Sequence, residues 1–377
     1  MKKNIVILGS TGVLGSKIIK FLEPSDNIIS LITCYSNQSK LLKIKKKIKP
    51  KFSVVLDPLI KNKFDFLNYG DSYVINYIKN NKIDFFYLLD SGFDSLNFLN
   101  ILIKNQKNCS ILIANKEVLV AGGHLLIKNI IKSNNKYIPL DSEHFSLIDL
   151  TNPDYSVKKN INKITLTASG GPFYFKKNFN INNVNLRMAT THPIWKMGLK
   201  NSIDSSNLVN KILESFELSS LLNLPLNKID ILISPKVFAH SIVYYLDQRI
   251  SINCFINNMN IPLTSPFKNE HFYKTYQNTY DIKNFNNLTF VKLNNSNFQI
   301  LKYLKKINKF NHSEQIIFMI LNSLFVIKFI KNEIKYSDII PLIFKNMNKF
   351  PKINKFKSLY HVIKYTNMVS GIIKNDE

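Results

Sequence analysis

The sequence predicts an α/β protein that begins with a Rossmann-like parallel sheet. Over the first 115 residues, short apolar runs alternate with longer segments of helical periodicity, an order typical of βαβ units. A glycine-rich turn, Gly9 to Gly15, joins the first apolar run to the first helical segment. Further along, strands and helices mix, and the end of the chain is helical. We therefore expect an N-terminal parallel sheet, a central α+β domain and a small C-terminal helical domain.

The apolar runs of the N-terminal part have the length of buried strands. We expect strands at residues 5–8, 28–33, 52–56, 85–89 and 110–114. Apolar residues at helical spacing predict helices at residues 15–22 and 39–48. Because the strands are separated by helices, the sheet should be parallel.

The remainder of the chain predicts a second layer and then helices. Strands are expected at 161–167, 229–234 and 251–255, and helices at 207–222, 316–330 and 339–347. The stretch 316–330 is the most apolar, but Asn322, Ser323 and Lys328 interrupt it. We therefore expect a core helix that is too short and too polar to span a membrane.

The charge of the chain is strongly positive, with 51 Lys and Arg against 25 Asp and Glu, a balance of +26. A nucleic-acid or acidic membrane partner is one interpretation. The other is compositional drift, because Arg187 and Arg249 are the only arginines and residues with A/T-rich codons dominate. We favour drift, and expect neither a nucleic-acid nor a membrane partner.

Composition also indicates the compartment. Hydrophobic residues make up 45% of the chain and charged residues 20%, which is typical of a globular protein. Cys34, Cys109 and Cys254 form no Cys-x-x-Cys pair, so a disulfide framework or a thiolate zinc site is not expected. With no leader pattern ahead of the first strand, we expect a cytoplasmic protein.

The glycine turn has the Gly-x-x-Gly-x-x-Gly spacing of dinucleotide-binding proteins. Glycines let a pyrophosphate approach the backbone, and the helix N-terminus supplies N–H groups. No acidic residue occurs between Thr33 and Lys43, after the second strand, where an NAD enzyme usually has one to bind the ribose. Because this stretch contains Lys40 instead, it favours the 2′-phosphate of NADP. A plain strand–helix turn and an ordinary polar loop are the alternatives.

Two further patterns indicate a metal and a phosphate. Asp141 and Glu143 follow an apolar segment, and Glu214 lies on a predicted helix; carboxylate oxygens suit Mg²⁺ or Mn²⁺. By itself, an Asp-x-Glu pair is more often a solvated loop. The turn at Ser169 offers N–H groups and a hydroxyl, and later hydroxyl, amide and ammonium groups would complete a phosphate site. A simple tight turn is the alternative.

Taken together, these motifs resemble the 1-deoxy-D-xylulose-5-phosphate reductoisomerases of the non-mevalonate isoprenoid pathway. The resemblance covers essentially the whole chain and rests on residues 9–15, 114–117, 139–144, 166–173, 192–198, 204–205 and 210–214. It implies NADPH-dependent rearrangement and reduction of 1-deoxy-D-xylulose 5-phosphate to 2-C-methyl-D-erythritol 4-phosphate. It also implies a divalent metal (Mn²⁺, Mg²⁺ or Co²⁺) and a homodimer.

The resemblance also assigns residues to roles. The metal ligands would be Asp141, Glu143 and Glu214, with Lys116 at the reacting oxygens. Besides Lys116, Glu143 and Glu214, the substrate would contact Ser142, Ser169, His192, Ser205, Asn210 and Lys211. NADPH would contact Thr11, Gly12, Val13, Leu14, Asn37, Asn115, Glu117 and Gly198. The segment 187–199, which contains the lone Trp195, would cover the substrate as a lid.

The implied domains are an NADPH-binding domain at 1–140, a catalytic domain at 141–275, a linker at 276–300 and a helical domain at 301–377. Departures from the family pattern include Val13 in place of a serine, and Tyr35 and Ser36 ahead of Asn37. Neither removes a metal ligand or a phosphate contact.

The sequence argues against two other functional classes of protein. A two-domain NADP-dependent semialdehyde dehydrogenase needs a nucleophilic cysteine, and neither Cys109 nor Cys254 is well placed for that role. A basic binding protein without enzymatic activity would cluster its lysines on one face, whereas here they are spread along the chain.

Overall fold

The computed structural model describes residues 2–148, 160–177, 179–191, 198–267, 288–293 and 297–375. The described chain forms two compact units. The first unit contains the described residues up to 145 together with 258–267, and the second contains 146–257 and the rest. The four-part division expected from the sequence stays a prediction.

The first unit is built on a seven-stranded sheet in which all paired strands are parallel, in the order β4-β3-β2-β1-β5-β6-β7. Its strands are β1 (Asn4–Leu8), β2 (Ile28–Cys34), β3 (Phe52–Val55), β4 (Asn68–Tyr69), β5 (Phe85–Leu88), β6 (Ser110–Ile113) and β7 (Lys136–Pro139). The five predicted N-terminal strands are therefore confirmed to within one residue at each end. The α/β class and the Rossmann-like sheet are also confirmed.

The helices of the first unit lie between these strands or follow them in the chain. They are α1 (Val13–Leu22), α2 (Gln38–Ile48), α3 (Asp71–Asn80), α4 (Leu96–Asn105), α5 (Lys116–Lys132), α6 (Ser142–Phe145) and, from the later segment, α10 (Asn260–Thr264). The chain crosses from one side of the sheet to the other between β1 and β5, which lie side by side. In open parallel sheets, ligands bind at the carboxyl ends of the strands at such a switch point.

The second unit contains a mixed five-stranded sheet in the order β11-β10-β8-β9-β12. Its strands are β8 (Ile161–Ala168), β9 (Ile229–Ile233), β10 (Ala239–Tyr245), β11 (Ile250–Cys254) and β12 (Val291–Lys292). Its helices are α7 (Leu186–Thr190), α8 (Leu199–Ser206), α9 (Val209–Leu222), α11 (Leu304–Ile307), α12 (His312–Ile330), α13 (Ile339–Asn346) and α14 (Leu359–Asn375). Strands β8 and β9 are parallel, whereas β10 runs antiparallel to both of its neighbours.

Two differences from the expected elements have clear causes. The single helix expected at 207–222 begins only at Val209, because Leu208 has a φ of 67° and interrupts the helical backbone. The expected linker at 276–300 contains the edge strand β12, which pairs with β9. A strand of two residues is too short to show a side-chain period in the sequence.

Helix α12 is the apolar helix expected from residue 316, and it begins four residues earlier, at His312. It is 19 residues long and, within the described ranges, is the one helix apolar enough to cross a membrane. The expectation that this segment is too short to span a membrane was therefore wrong. Its core location is confirmed, because 67% of the apolar stretch of this helix is buried within the protein.

Candidate active site

The glycine turn lies at the carboxyl end of β1. Gly9 has a φ of +81°, and a Cβ there would lie 2.6 Å from the backbone N of Asp90, so only glycine fits. A Cβ at Gly15 would collide with the carbonyl oxygen of Gly9. Gly12 is the N-cap of α1, and its backbone N–H donates to Gly9 O at 3.1 Å. The turn therefore brings the start of α1 to the switch point of the sheet.

A cation from α2 reaches this turn. Lys40 Nζ donates a hydrogen bond to the carbonyl oxygen of Thr11 at 2.7 Å. The Oδ1 of Asn37 accepts from the backbone N–H of Lys40 at 3.0 Å and caps the helix that carries this lysine. The expected cofactor residues Thr11, Gly12, Val13 and Leu14 thus lie on the turn, and Asn37 stabilises the neighbouring helix start.

A carboxyl group that the sequence analysis missed lies at the end of the adjacent strand β5. Asp90 accepts hydrogen bonds from the hydroxyl of Ser95 and, at 2.9 Å, from Asn115 Nδ2. Asn115 also donates to Gly92 O at 2.7 Å, and its Oδ1 accepts from Val118 N at 2.9 Å. Both amide hydrogens of Asn115 are therefore used within the protein, and the residue holds the start of α5.

Burial raises the pKa of Asp90 to about 6, and the nearby Glu117 carboxylate adds to this rise, while the hydrogen bonds from Ser95 and Asn115 oppose it. Because the pKa in the folded state is above the usual value of 3.8, the folded state holds the proton more tightly than the unfolded state. This contribution to stability is fully present below about pH 4 and is lost as the pH rises through about 6.

We expect Asp90→Asn to be more stable than the wild type at pH 8. The asparagine keeps a hydrogen-bonding group but carries no buried charge, and a shift of about two pKa units corresponds to at most about 3 kcal/mol. Urea unfolding at pH 8 and pH 5 measures the difference, which should shrink at the lower pH. Asp65→Asn, at an exposed carboxyl of the same unit, is the control. If Asp90→Asn is less stable than the wild type at pH 8, the buried charge of Asp90 does not destabilise the folded protein and this expectation is wrong.

The first residues of α5 and the segment after β7 form a charged cluster in the first unit. Lys116 forms an ion pair with Asp141, and each side chain is only 12% exposed. Carboxylate oxygens of Asp141 and Glu143 lie within 4.8 Å of each other. The hydroxyl of Ser142 donates to Glu143 Oε2 at 2.5 Å, and the buried His144 lies beside Asp141, its Nδ1 3.5 Å from Asp141 Oδ1. Two adjacent hard oxygen donors fit a divalent cation.

In the second unit, the turn after β8 contains a glycine that lets another segment pack closely against it. Ser169 Oγ accepts from the backbone N–H of Gly171 at 3.1 Å. Gly171 has a φ of +59°, and a Cβ there would lie 3.0 Å from the carbonyl oxygen of Ser205. The absence of a side chain at this position lets the end of α8 pack directly on the turn. The segments that carry Ser169 and Ser205, far apart in sequence, therefore lie next to each other.

Helix α9 carries the remaining polar groups of this unit. Glu214 is 1% exposed, and it accepts hydrogen bonds from Lys211 Nζ at 2.6 Å and from Asn210 Nδ2 at 2.5 Å. The three residues share one helix face because they are three and four positions apart. A carboxylate this deeply buried is tolerated only with compensating positive charge or hydrogen bonds.

The structure therefore places the expected residues in two groups, one per unit. The first group comprises Thr11, Gly12, Val13, Leu14, Asn37, Asn115, Lys116, Glu117, Asp141, Ser142 and Glu143. The second comprises Ser169, Gly198, Ser205, Asn210, Lys211 and Glu214. Gly198 is the N-cap of α8. His192 and Trp195 lie outside the described residues, as does the 192–197 part of the expected lid, so the lid at 187–199 stays a prediction.

The cysteines do not fit a nucleophilic role. Burial raises the pKa of Cys34 to about 12 and raises the pKa values of Cys109 and Cys254 as well. A reactive cysteine needs a lowered pKa, because the thiolate is the nucleophile. A semialdehyde dehydrogenase mechanism therefore has no suitable residue among the three.

A parallel sheet with a glycine turn at its switch point, together with a lysine–carboxylate cluster, is the framework of a dinucleotide-dependent oxidoreductase that uses a divalent metal. Comparison of the sequence with known protein families identifies which oxidoreductase family this is. Family models described as 1-deoxy-D-xylulose 5-phosphate reductoisomerase match residues 5–123 and, for the C-terminal domains, 137–222 and 256–369. The chain belongs to the 1-deoxy-D-xylulose 5-phosphate reductoisomerase family.

Relatives named 1-deoxy-D-xylulose 5-phosphate reductoisomerase match nearly the full length of the chain. One from Pelagibacter ubique is 35% identical and covers 95% of this chain and 94% of its own. One from Clostridium novyi is 32% identical and covers 99% of each chain.

Solved structures share the fold. A crystal structure of DOX-P reductoisomerase with NADPH, fosmidomycin and magnesium has a TM-score of 0.85 at 24% identity and covers 99% of this chain and 98% of its own. The Zymomonas mobilis reductoisomerase with NADPH has a TM-score of 0.80 at 23% identity, covering 98% and 97%.

Proposed function

We propose that the chain converts 1-deoxy-D-xylulose 5-phosphate to 2-C-methyl-D-erythritol 4-phosphate by rearrangement and NADPH-dependent reduction. The observation that carries this proposal is the family match over almost the whole chain, at 35% identity to a named reductoisomerase. The two residue groups supply the chemistry that such a reaction needs. It requires a held phosphate, polarised vicinal oxygens and a hydride donor.

The carboxylates Asp141, Glu143 and Glu214 would hold the divalent metal. They supply hard oxygen ligands, and their negative charge favours binding of a small dication. When bound, the metal supplies a Lewis acid and a template for the vicinal oxygens of the substrate. Crystal structures of family members contain magnesium, which supports this assignment.

Lys116 is the cation best suited to the reacting oxygens. Asp141 holds its ammonium group, so that the charge is oriented before substrate arrives. A preorganised positive charge stabilises a developing oxyanion more than water does. The side chain is also mostly removed from solvent, which strengthens the interaction.

The phosphate of the substrate would bind at Ser169, Ser205, Asn210 and Lys211. Gly171 brings the serine turn against Ser205, and Lys211 is a buried cation. Hydroxyl, amide and ammonium groups are the kinds of donor that suit a phosphate. The assignment of His192 to the same substrate stays a prediction.

NADPH would bind at the glycine turn of the first unit, where the start of α1 offers N–H groups. The cofactor supplies the hydride that reduces the rearranged aldehyde. A solved structure of the Zymomonas mobilis relative contains NADPH, which supports this choice. Lys40, held at the turn through Thr11 O, would supply the positive charge for the 2′-phosphate.

Lys40→Gln should lower kcat/KM for NADPH by about tenfold and leave kcat/KM for NADH nearly unchanged, because a charged contact to phosphate is worth roughly 1.5–3 kcal/mol. Steady-state kinetics with both cofactors measures the ratio. The control is Lys43→Gln, an exposed lysine on the same helix. An unchanged preference for NADPH in the Lys40 variant would assign the 2′-phosphate to other residues.

The direct test is NADPH oxidation with 1-deoxy-D-xylulose 5-phosphate, with and without Mn²⁺. We expect metal-dependent oxidation and one equivalent of 2-C-methyl-D-erythritol 4-phosphate per NADPH. If folded protein oxidises no NADPH with Mn²⁺, Mg²⁺ or Co²⁺ present, the proposal is wrong.

We also propose that the enzyme is a cytoplasmic homodimer. Support comes from the resemblance to the family and from the edge strand β11, whose Ile250 and Ile252 are exposed. An edge strand with exposed apolar residues is a template on which another chain can pair. Sedimentation equilibrium should give twice the mass of the chain.

A further inference from the structure

Ser205, the serine expected at the substrate phosphate, lies between Asp204 and Ser206, which helix α12 and the turn at Tyr336 hold by buried hydrogen bonds. We propose that Asn322 and Tyr336 are positioning residues that orient Ser205 and the Ser169 turn toward the phosphate, an inference that rests on the proposed function. The four residues Asp204, Ser206, Asn322 and Tyr336 are called the C-terminal clamp below.

The first half of the clamp is a buried carboxylate. Asp204 is 1% exposed and accepts from Asn322 Nδ2 at 2.8 Å and from Lys200 Nζ at 2.8 Å. Asn322 lies on α12 and is fully buried. The Asp204 carboxylate is held in one orientation by these two donors. If it turned away from either donor, a buried carboxylate would lose a compensating hydrogen bond. The backbone immediately before Ser205 is thereby tied to α12.

The second half is a pair of buried hydroxyls. Ser206 Oγ and Tyr336 Oη are 2.8 Å apart, and Ser206 Oγ also donates to Ile203 O at 2.7 Å. Since a serine hydroxyl has a single hydrogen, Tyr336 must be the donor in the pair. Burial raises the pKa of Tyr336 far above its usual value, which keeps that hydrogen in place.

Tyr336 also contacts the other side of the phosphate site. Its ring packs edge-to-face on Phe173, with the ring centroids 5.6 Å apart. Phe173 follows the turn of Ser169 and Gly171 by two residues, and Gly171 packs against Ser205 O. One side chain therefore contacts the segments that carry both serines. This arrangement makes the relative position of the two hydroxyls depend on Tyr336.

The clamp should act on phosphate binding and not on the hydride or rearrangement steps, because its residues hold the segments that carry the two serines and include none of the metal or glycine-turn residues. Tyr336→Phe keeps the ring on Phe173 and removes only the hydroxyl. We expect KM for 1-deoxy-D-xylulose 5-phosphate to rise roughly fivefold with kcat little changed, the effect of one lost hydrogen bond. Inorganic phosphate should inhibit the variant roughly fivefold more weakly as well.

The matched control is Tyr365→Phe. Tyr365 is a buried tyrosine of the same unit, and its hydroxyl donates to Pro351 O at 2.7 Å. The Tyr365→Phe variant should lose about as much folding stability as Tyr336→Phe. It should keep the wild-type KM and the wild-type inhibition by phosphate. Asn322→Ala, which removes a donor from Asp204, should raise KM in the same direction as Tyr336→Phe. Its kcat should likewise be little changed.

Wild-type values of KM and of phosphate inhibition in Tyr336→Phe overturn the inference. So does a fall in kcat with KM unchanged, because that pattern shows a general structural effect. If the wild type itself lacks the proposed activity, the proposed function fails separately. Calorimetric binding of inorganic phosphate to wild type and Tyr336→Phe then still decides the role of the clamp.

Discussion

Glu214→Gln lowers kcat/KM by roughly 100-fold or more at limiting Mn²⁺, because it removes a charged oxygen ligand from the proposed metal site. The substitution keeps the volume and the ability to accept a hydrogen bond from Asn210, which lies 2.5 Å away. It also leaves the buried ammonium of Lys211 without its 2.6 Å carboxylate partner. The loss should therefore appear in metal affinity as well as in turnover.

Two measurements check this expectation. Titration of activity with Mn²⁺ should show a higher half-saturating concentration, and calorimetry should show weaker Mn²⁺ binding in the absence of substrate. The control is Asp230→Asn, a carboxylate on β9 that is 52% exposed and pairs with Lys163. A Glu214→Gln enzyme with wild-type Mn²⁺ affinity would remove Glu214 from the metal site.

Lys116→Met lowers kcat by roughly 100- to 1,000-fold, the range found when one donor to a developing oxyanion is removed. KM should change much less, because the proposed interaction strengthens in the transition state. The neighbouring Asp141 loses its ion-pair partner, so the variant also tests whether that pair organises the site.

Separate determination of kcat and KM measures the effect, and circular dichroism shows that the variant is folded. Lys163→Met is the matched control, since it breaks the exposed ion pair with Asp230, where a salt bridge is worth little. A Lys116→Met enzyme whose kcat stays within a few-fold of wild type would exclude this lysine from the chemistry.

Strands of the parallel sheet such as β1 and β2 could be predicted because each is a continuous apolar run. The strands of the parallel sheet are buried on both faces and therefore read as unbroken stretches, which located β1 and β2 closely. Strand β10 lacked such a run, because His240 and Ser241 lie near its start. Both are buried there, and Ser241 Oγ lies 2.7 Å from Ser146 Oγ. That contact comes from a distant part of the chain.

Local motifs also located most of the proposed active-site residues. Short spacings such as Asp141 to Glu143, or Asn210 to Glu214, put side chains together through local backbone geometry alone. Asp90 was not predicted from the sequence, because a single aspartate after a strand forms no recognisable motif. Its significance depends on Asn115, which is 25 positions away and on another strand–helix connection.

By itself, the sequence determined the strands and helices that have long apolar patterns, and the groups of side chains whose partners lie within one or two helical turns. Local backbone geometry is enough to bring such residues together. The tertiary structure decided which distant residues support them. Asp204 pairs with Asn322 over 118 positions, and Ser206 with Tyr336 over 130. These hydrogen bonds depend on how α12 and the turn at Tyr336 pack against α8. The free energy of that packing is spread over many apolar contacts and has no signature in any short stretch of sequence.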